Sequence, residues 1–170
     1  MTPNAAPRRE LLGLLGAMAP LLLARSGMAS PIDRSETQYT LPPDIPWHRR
    51  PTDPPNSLEQ APLFGATTGQ GLYYVLVRWW PGYMSAPHMY DTDRLCVVVS
   101  GTWWINSGAD FDPGRTVPVP AGTFVHRIAH TPHYDGVKRG EPAPAVIAIC
   151  GIAPVNYQAV EPNQPEVRSV

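Results

Sequence analysis

The 170-residue sequence predicts an all-β single domain, preceded by an export leader and a proline-rich arm. Three observations carry that prediction. Short β-branched and aromatic runs recur from residue 72 onward, a Gly or Pro stop follows each of them, and the apolar period of a helix is missing after residue 30. Short strands separated by turn residues build a sandwich or a small barrel.

The elements follow in chain order. Arg8 and Arg9 precede an apolar run, Leu11 to Leu23, which Gly13, Gly16 and Pro20 interrupt, and Gly27-Met28-Ala29-Ser30 then offers a small-residue cleavage context. Charged, apolar and small segments in that order are expected of a signal peptide over residues 1–29, cut after Ala29. The run falls short of the about 20 apolar residues that span a membrane. Its adjacent arginines resemble a twin-arginine leader. The expectation is an exported protein, periplasmic or secreted, with no membrane attachment once the leader is removed.

Residues 30–60 read as an extended arm. Prolines crowd it at Leu41-Pro42-Pro43, Pro46, Pro51 and Pro54-Pro55, and each removes a backbone donor. Residues 61–158 are the expected barrel. Its strands are Leu72 to Trp80, ending at Pro81-Gly82; Leu95 to Ser100, stopping at Gly101; Thr102 to Asn106, stopping at Ser107-Gly108; Pro118 to Ile128, with a turn at Ala121-Gly122; and Pro144 to Ile152. Residues 159–170 read as a C-terminal tail.

Charge excludes one class of partner. The chain has 13 basic and 14 acidic residues, and removing Arg8, Arg9, Arg25 and Glu10 with the leader makes it more acidic. No run of Lys or Arg is present to neutralise a row of phosphates, so nucleic acid is not expected. Cys96 and Cys150 both lie in apolar β-branched runs. A disulfide between them and two buried thiols are both compatible with an exported chain.

Histidine marks the chemistry. Four of the five histidines, His88, His126, His130 and His133, fall between residues 82 and 133. Gly82, His88 and Gly101 keep the spacing of the first cupin motif, Gly, five residues, His-x-His, three or four residues, Glu, six residues, Gly. Gly122 and His133 keep that of the second, Gly, five residues, Pro-x-Gly, two residues, His. The segment therefore resembles the cupin superfamily, and its Pro-His-x-x-x-x-Asp-Arg and Ser-Gly-Thr-Trp-Trp wording is similar to small, often exported bacterial cupins. The resemblance implies a double-stranded β-helix, or jelly-roll barrel, and a pocket at the two histidines. It does not imply a reaction, because one fold carries many chemistries.

The sequence departs from the motifs at four positions. Tyr90 replaces the second histidine, Arg94 stands at the glutamate, and Ile128 and His130 replace the proline and glycine of the second motif. Three readings follow. In the first, His88, His133 and either His126 or His130 hold a divalent transition metal, with Tyr90 or Asp93 as a further ligand. Iron, manganese, nickel, zinc or copper suits imidazoles, with oxygenase, lyase or isomerase chemistry at an open position. In the second, no metal is bound and Arg94 clamps the carboxylate of a small organic anion, with Tyr90, His88 and His133 orienting it or moving protons. In the third, the site is vestigial and the chain is a homodimeric binding protein. His48 reads as a solvated arm residue. The pairs Trp79-Trp80 and Trp103-Trp104 each send one ring inward and one outward.

Overall fold

A computed structural model describes Ile32 and residues 35–170, so the expected leader lies outside the described residues. Residues Thr40–Val170 form one compact unit. The described residues from Ser35 to Tyr39 belong to a separate unit and are exposed chain that begins with a turn.

The strands are β1 (Leu58–Phe64), β2 (Gly71–Trp79), β3 (Tyr83–Ser85), β4 (His88–Tyr90), β5 (Arg94–Ser100), β6 (Thr102–Ser107), β7 (Val117–Pro120), β8 (Phe124–Arg127), β9 (His133–Val137), β10 (Ala145–Ala153), β11 (Tyr157–Ala159) and β12 (Val167–Ser169). Single 3-10 turns at Pro42–Asp44 and Pro113–Arg115 are the only helical elements among the described residues. One sheet runs β1-β2-β10-β5-β8. In the other, β9 lies between β6, which also pairs β7, and the consecutive segments β4 and β3, which pair β11 and β12. Every pairing is antiparallel. The two sheets enclose one core.

Alternation builds that core. Tyr73, Val75, Val77 and Trp79 of β2 face inward with Ile147 and Ile149 of β10, Cys96 and Val98 of β5 and Trp103 of β6. Each tryptophan pair divides as expected, Trp79 and Trp103 being buried while Trp80 and Trp104 are half-buried. Cys96 and Cys150 are both free thiols. Cys96 pairs in register with Ile149, so Cys150, the next residue, points to the opposite face and no bridge can close. At β9, a Cβ on Gly136 would lie 2.2 Å from the Tyr83 carbonyl oxygen, so only glycine lets β9 approach β3 there.

The segment boundaries differ from those expected. Strand β1 starts at Leu58, inside residues 30–60, because Leu58 and Ala61 are apolar residues that pack inward and under the arm. The arm itself is docked: Ile45 and Trp47 cover Ala61, Leu76 and Ala148, the Arg78 guanidinium lies 3.8 Å over the Trp47 ring, and His48 bridges to Gln60. Residues 159–170 are more than a tail. They contribute β12, whose Val167 is buried against Ser85 of β3.

Candidate functional site

Three of the motif glycines, Gly82, Gly101 and Gly122, have φ of +89°, +72° and +87°, a region open to glycine at little cost. These turns set the direction of the strands that follow. Strand β4 then brings His88 directly opposite His133 of β9, with ring centroids 4.5 Å apart. Both side chains are buried.

The two histidines line a cavity of about 330 Å³ between the sheets. Tyr90 and Arg94 line it too, so the structure brings together four of the seven residues expected there. The Arg94 guanidinium lies 4.2 Å over the Tyr90 ring. The other three, Asp93, His126 and His130, fall outside and are exposed. His126 pairs with Leu95 in register, which puts it on the outer face of the sheet, where its Nε2 lies 2.8 Å from Asp93. His130 occupies the glycine position of the second motif with φ of +58°, and its side chain is exposed. It is a turn residue.

Several residues of the cavity carry no motif. Asp135 shares the inward face of β9 with His133, two residues away, and accepts hydrogen bonds from Trp103 Nε1 at 3.0 Å and Arg127 at 3.2 Å. Arg127 arrives from β8, opposite Arg94 in register. Tyr157 of β11 stacks on His88 with centroids 5.1 Å apart. At the rim, Arg50 of the arm reaches Glu166 at 2.5 Å and grips the buried Asp53 with two hydrogen bonds of 2.8 and 2.9 Å. Parity along β9 could have identified Asp135. Nothing local in the sequence marks Arg50, Tyr157 or Glu166.

The histidines are oriented by the backbone. Nδ1 of His88 lies 2.8 Å from the Ala86 carbonyl, and Nδ1 of His133 lies 2.9 Å from the Thr131 carbonyl. A carbonyl only accepts, so each Nδ1 carries the proton and each Nε2 is left for the cavity side. Burial lowers both pKa values. That of His133 falls to about 3, with the positive charge of Arg127 and the neighbouring His88 adding to the effect. The rings are therefore neutral at pH 7. Burial alone would raise the Asp135 pKa, but Arg127 and the two histidines outweigh it and hold the carboxyl below the usual range. Burial opposes the charge of Arg94 and the Asp135 carboxylate favours it, and the guanidinium remains a cation. The Cys96 thiol is pushed up to about 11 by burial and is inert.

This donor set does not fit a resident divalent metal. Among the described residues, no three His, Cys, Asp or Glu side chains gather to hold one. The expected third imidazole is missing because His126 and His130 point outward. Of the two carboxylates that line the cavity, Asp135 is engaged by Arg127 and Trp103 and Glu166 by Arg50, and Arg94, which makes no ion pair among the described residues, adds a positive charge beside the two imidazoles.

No protein-family model matches the chain, and no curated protein matches it by sequence. Solved structures do match. The polyketide cyclase RemF from Streptomyces resistomycificus is similar at 16% identity over 79% of this chain and 85% of that one, with a TM-score of 0.55. The DMSP lyase DddQ from Ruegeria pomeroyi is similar at 11% identity over 71% and 64%, also with a TM-score of 0.55. A cupin-2 domain protein from Rhodospirillum rubrum is similar at 15% identity over 72% and 79%, with a TM-score of 0.53. With two antiparallel sheets, motif glycines at its turns and paired histidines facing the space between the sheets, this chain has the cupin fold.

Proposed function

We propose that this cupin binds a small organic acid in a metal-free pocket, with Arg94 as the group that clamps the carboxylate. One observation carries the reading. Three guanidiniums line the cavity, and two of them are neutralised by the chain: Arg50 pairs with Asp53 and Glu166 and Arg127 pairs with Asp135, whereas Arg94 makes no ion pair with a carboxylate among the described residues and its Nε makes no hydrogen bond. An unpaired buried cation is costly, and a ligand carboxylate docked in its fork removes that cost. Trp79, Trp103, Ile147 and Ile149 wall the same cavity and suit an apolar body on the ligand. RemF and DddQ, a cyclase and a lyase of the same fold, support a small-molecule ligand. Titration of small carboxylic acids into chelator-treated protein tests the reading. Binding that is lost in Arg94→Gln supports it, and binding indifferent to that change refutes it.

The proposal extends to assembly and location. The outer face of the five-stranded sheet exposes Leu95, Val97, Val99 and Phe124 beside Tyr74, Leu72 and Ile152, a contiguous apolar surface suited to a second copy in a homodimer. Export rests on the charged, apolar and small segments of residues 1–29. Intact mass and sedimentation of protein recovered from the periplasm test both. An uncleaved cytoplasmic monomer would contradict them.

A further inference from the structure

The geometry points to the class of acid that the pocket takes: a hydroxy acid, whose hydroxyl donates a hydrogen bond to Nε2 of His133 while its carboxylate sits on Arg94. The inference rests on the anion reading above and deepens it. His133 is 2% exposed, and its Nε2 is a buried nitrogen without a hydrogen-bond partner. Its Nδ1 already donates to the Thr131 carbonyl, so Nε2 is the lone-pair nitrogen and can only accept. Thus the cavity holds unmet needs of opposite kind: the Nε atoms of Arg94 and Arg127 lack an acceptor, and Nε2 of His133 lacks a donor.

A ligand that meets both must carry an anionic group and a donor close together. A hydroxyl suits the second role better than an ammonium. The cavity lining has three guanidiniums against two carboxylates, so a second cation on the ligand would be repelled. His88 supports the arrangement. Its own Nδ1 is bonded to Ala86, and its ring packs 4.5 Å from that of His133, which fixes the direction in which the His133 lone pair points. A ligand without the donor would leave the buried nitrogen unpaired in a desolvated site, and sites of this kind discriminate strongly against such analogues.

The experiment compares three families of acid on the full chain, freed of metal by chelation: glycolate, lactate and mandelate, each beside its O-methyl ether and its deoxy analogue. The ether removes the donor and keeps the oxygen, and the deoxy acid removes the donor without adding bulk. The expected result is that at least one hydroxy acid binds about tenfold or more tightly than both of its analogues. His133→Leu should abolish that preference while leaving residual binding to the acid. The comparison on unaltered protein stands by itself if that variant fails to fold. Equal binding of hydroxy acid, ether and deoxy acid would overturn the donor inference and leave the Arg94 clamp intact. Failure of every acid to bind, or binding unaffected by Arg94→Gln, would overturn the underlying reading and this inference with it.

Discussion

His88 and His133 sit directly opposite one another on neighbouring antiparallel strands, their rings 4.5 Å apart and each Nδ1 tied to a backbone carbonyl two residues before it. In a metal site, such a pair would be completed by further ligands on the same side. Here Arg94 and Arg127 share the cavity with it, and Asp135 is committed to Arg127. The charge of the surroundings thus turns a metal-ready geometry into a pair of fixed hydrogen-bond acceptors.

Arg94 is the first residue to test. Arg94→Gln should weaken binding of a small carboxylate by about 10- to 100-fold, the usual worth of a hydrogen bond to a charged group. Arg94→Lys should restore only part of it, because an ammonium cannot present the two parallel donors of a guanidinium. Calorimetric titration of the three proteins measures both effects.

The paired histidines make stability depend on acid. Both folded pKa values lie below the ordinary 6.5, that of His133 at about 3. The unfolded chain therefore takes up protons first as pH falls. The contribution of His133 is whole above about pH 6.5 and is lost towards pH 3, at up to about 1.4 kcal/mol per pH unit, and that of His88 declines in the same direction as pH falls below 6.5. Denaturant titrations at pH 7, 6 and 5 should show this decline, and His133→Asn should make it shallower. An unchanged slope in the variant would show that His133 is not held neutral.

Arg127 and Asp135 form a buried ion pair whose side chains are 8% and 11% exposed. Asp135→Ala should destabilise the fold by about 3–5 kcal/mol, because it leaves a buried guanidinium without a counter-charge and Trp103 without its acceptor. The double variant Asp135→Leu with Arg127→Met should recover much of that loss. Thermal and denaturant unfolding of the single and double variants checks the prediction.

Substitution at the turn should stabilise the protein. His130 holds a left-handed backbone conformation that the motif assigns to glycine. The strain of about 1–2 kcal/mol for a side chain there is partly offset by the entropy that glycine adds to the unfolded chain. His130→Gly should therefore raise stability by about 0.5–1 kcal/mol and leave ligand affinity unchanged. A fall in affinity would mean that His130 reaches the pocket after all.

Much of this architecture was legible in the sequence, for identifiable reasons. Strands β2, β5, β6, β7, β8 and β10 fall within a residue or two of the expected runs, because period-two burial and Gly or Pro stops are local signals, whereas β3, β4 and β9 carry no β-branched run and are not expected as strands. The motif spacing located His88, His133, Tyr90 and Arg94, since strand length and turn length together place them around one cavity. The face of His126 was not legible. It depends on the Leu95–His126 register between β5 and β8, which no local pattern specifies. His130 misled because a histidine can occupy a glycine turn without facing the site. Arg50 and Glu166 come from segments that read as arm and tail, and only the tertiary fold brings them to the rim.

The most direct test is calorimetric titration of glycolate, lactate and mandelate into chelator-treated protein, beside Arg94→Gln. The account predicts binding to the metal-free protein that the Arg94 substitution removes. Binding that appears only when a divalent metal is restored, and that survives Arg94→Gln, would contradict it.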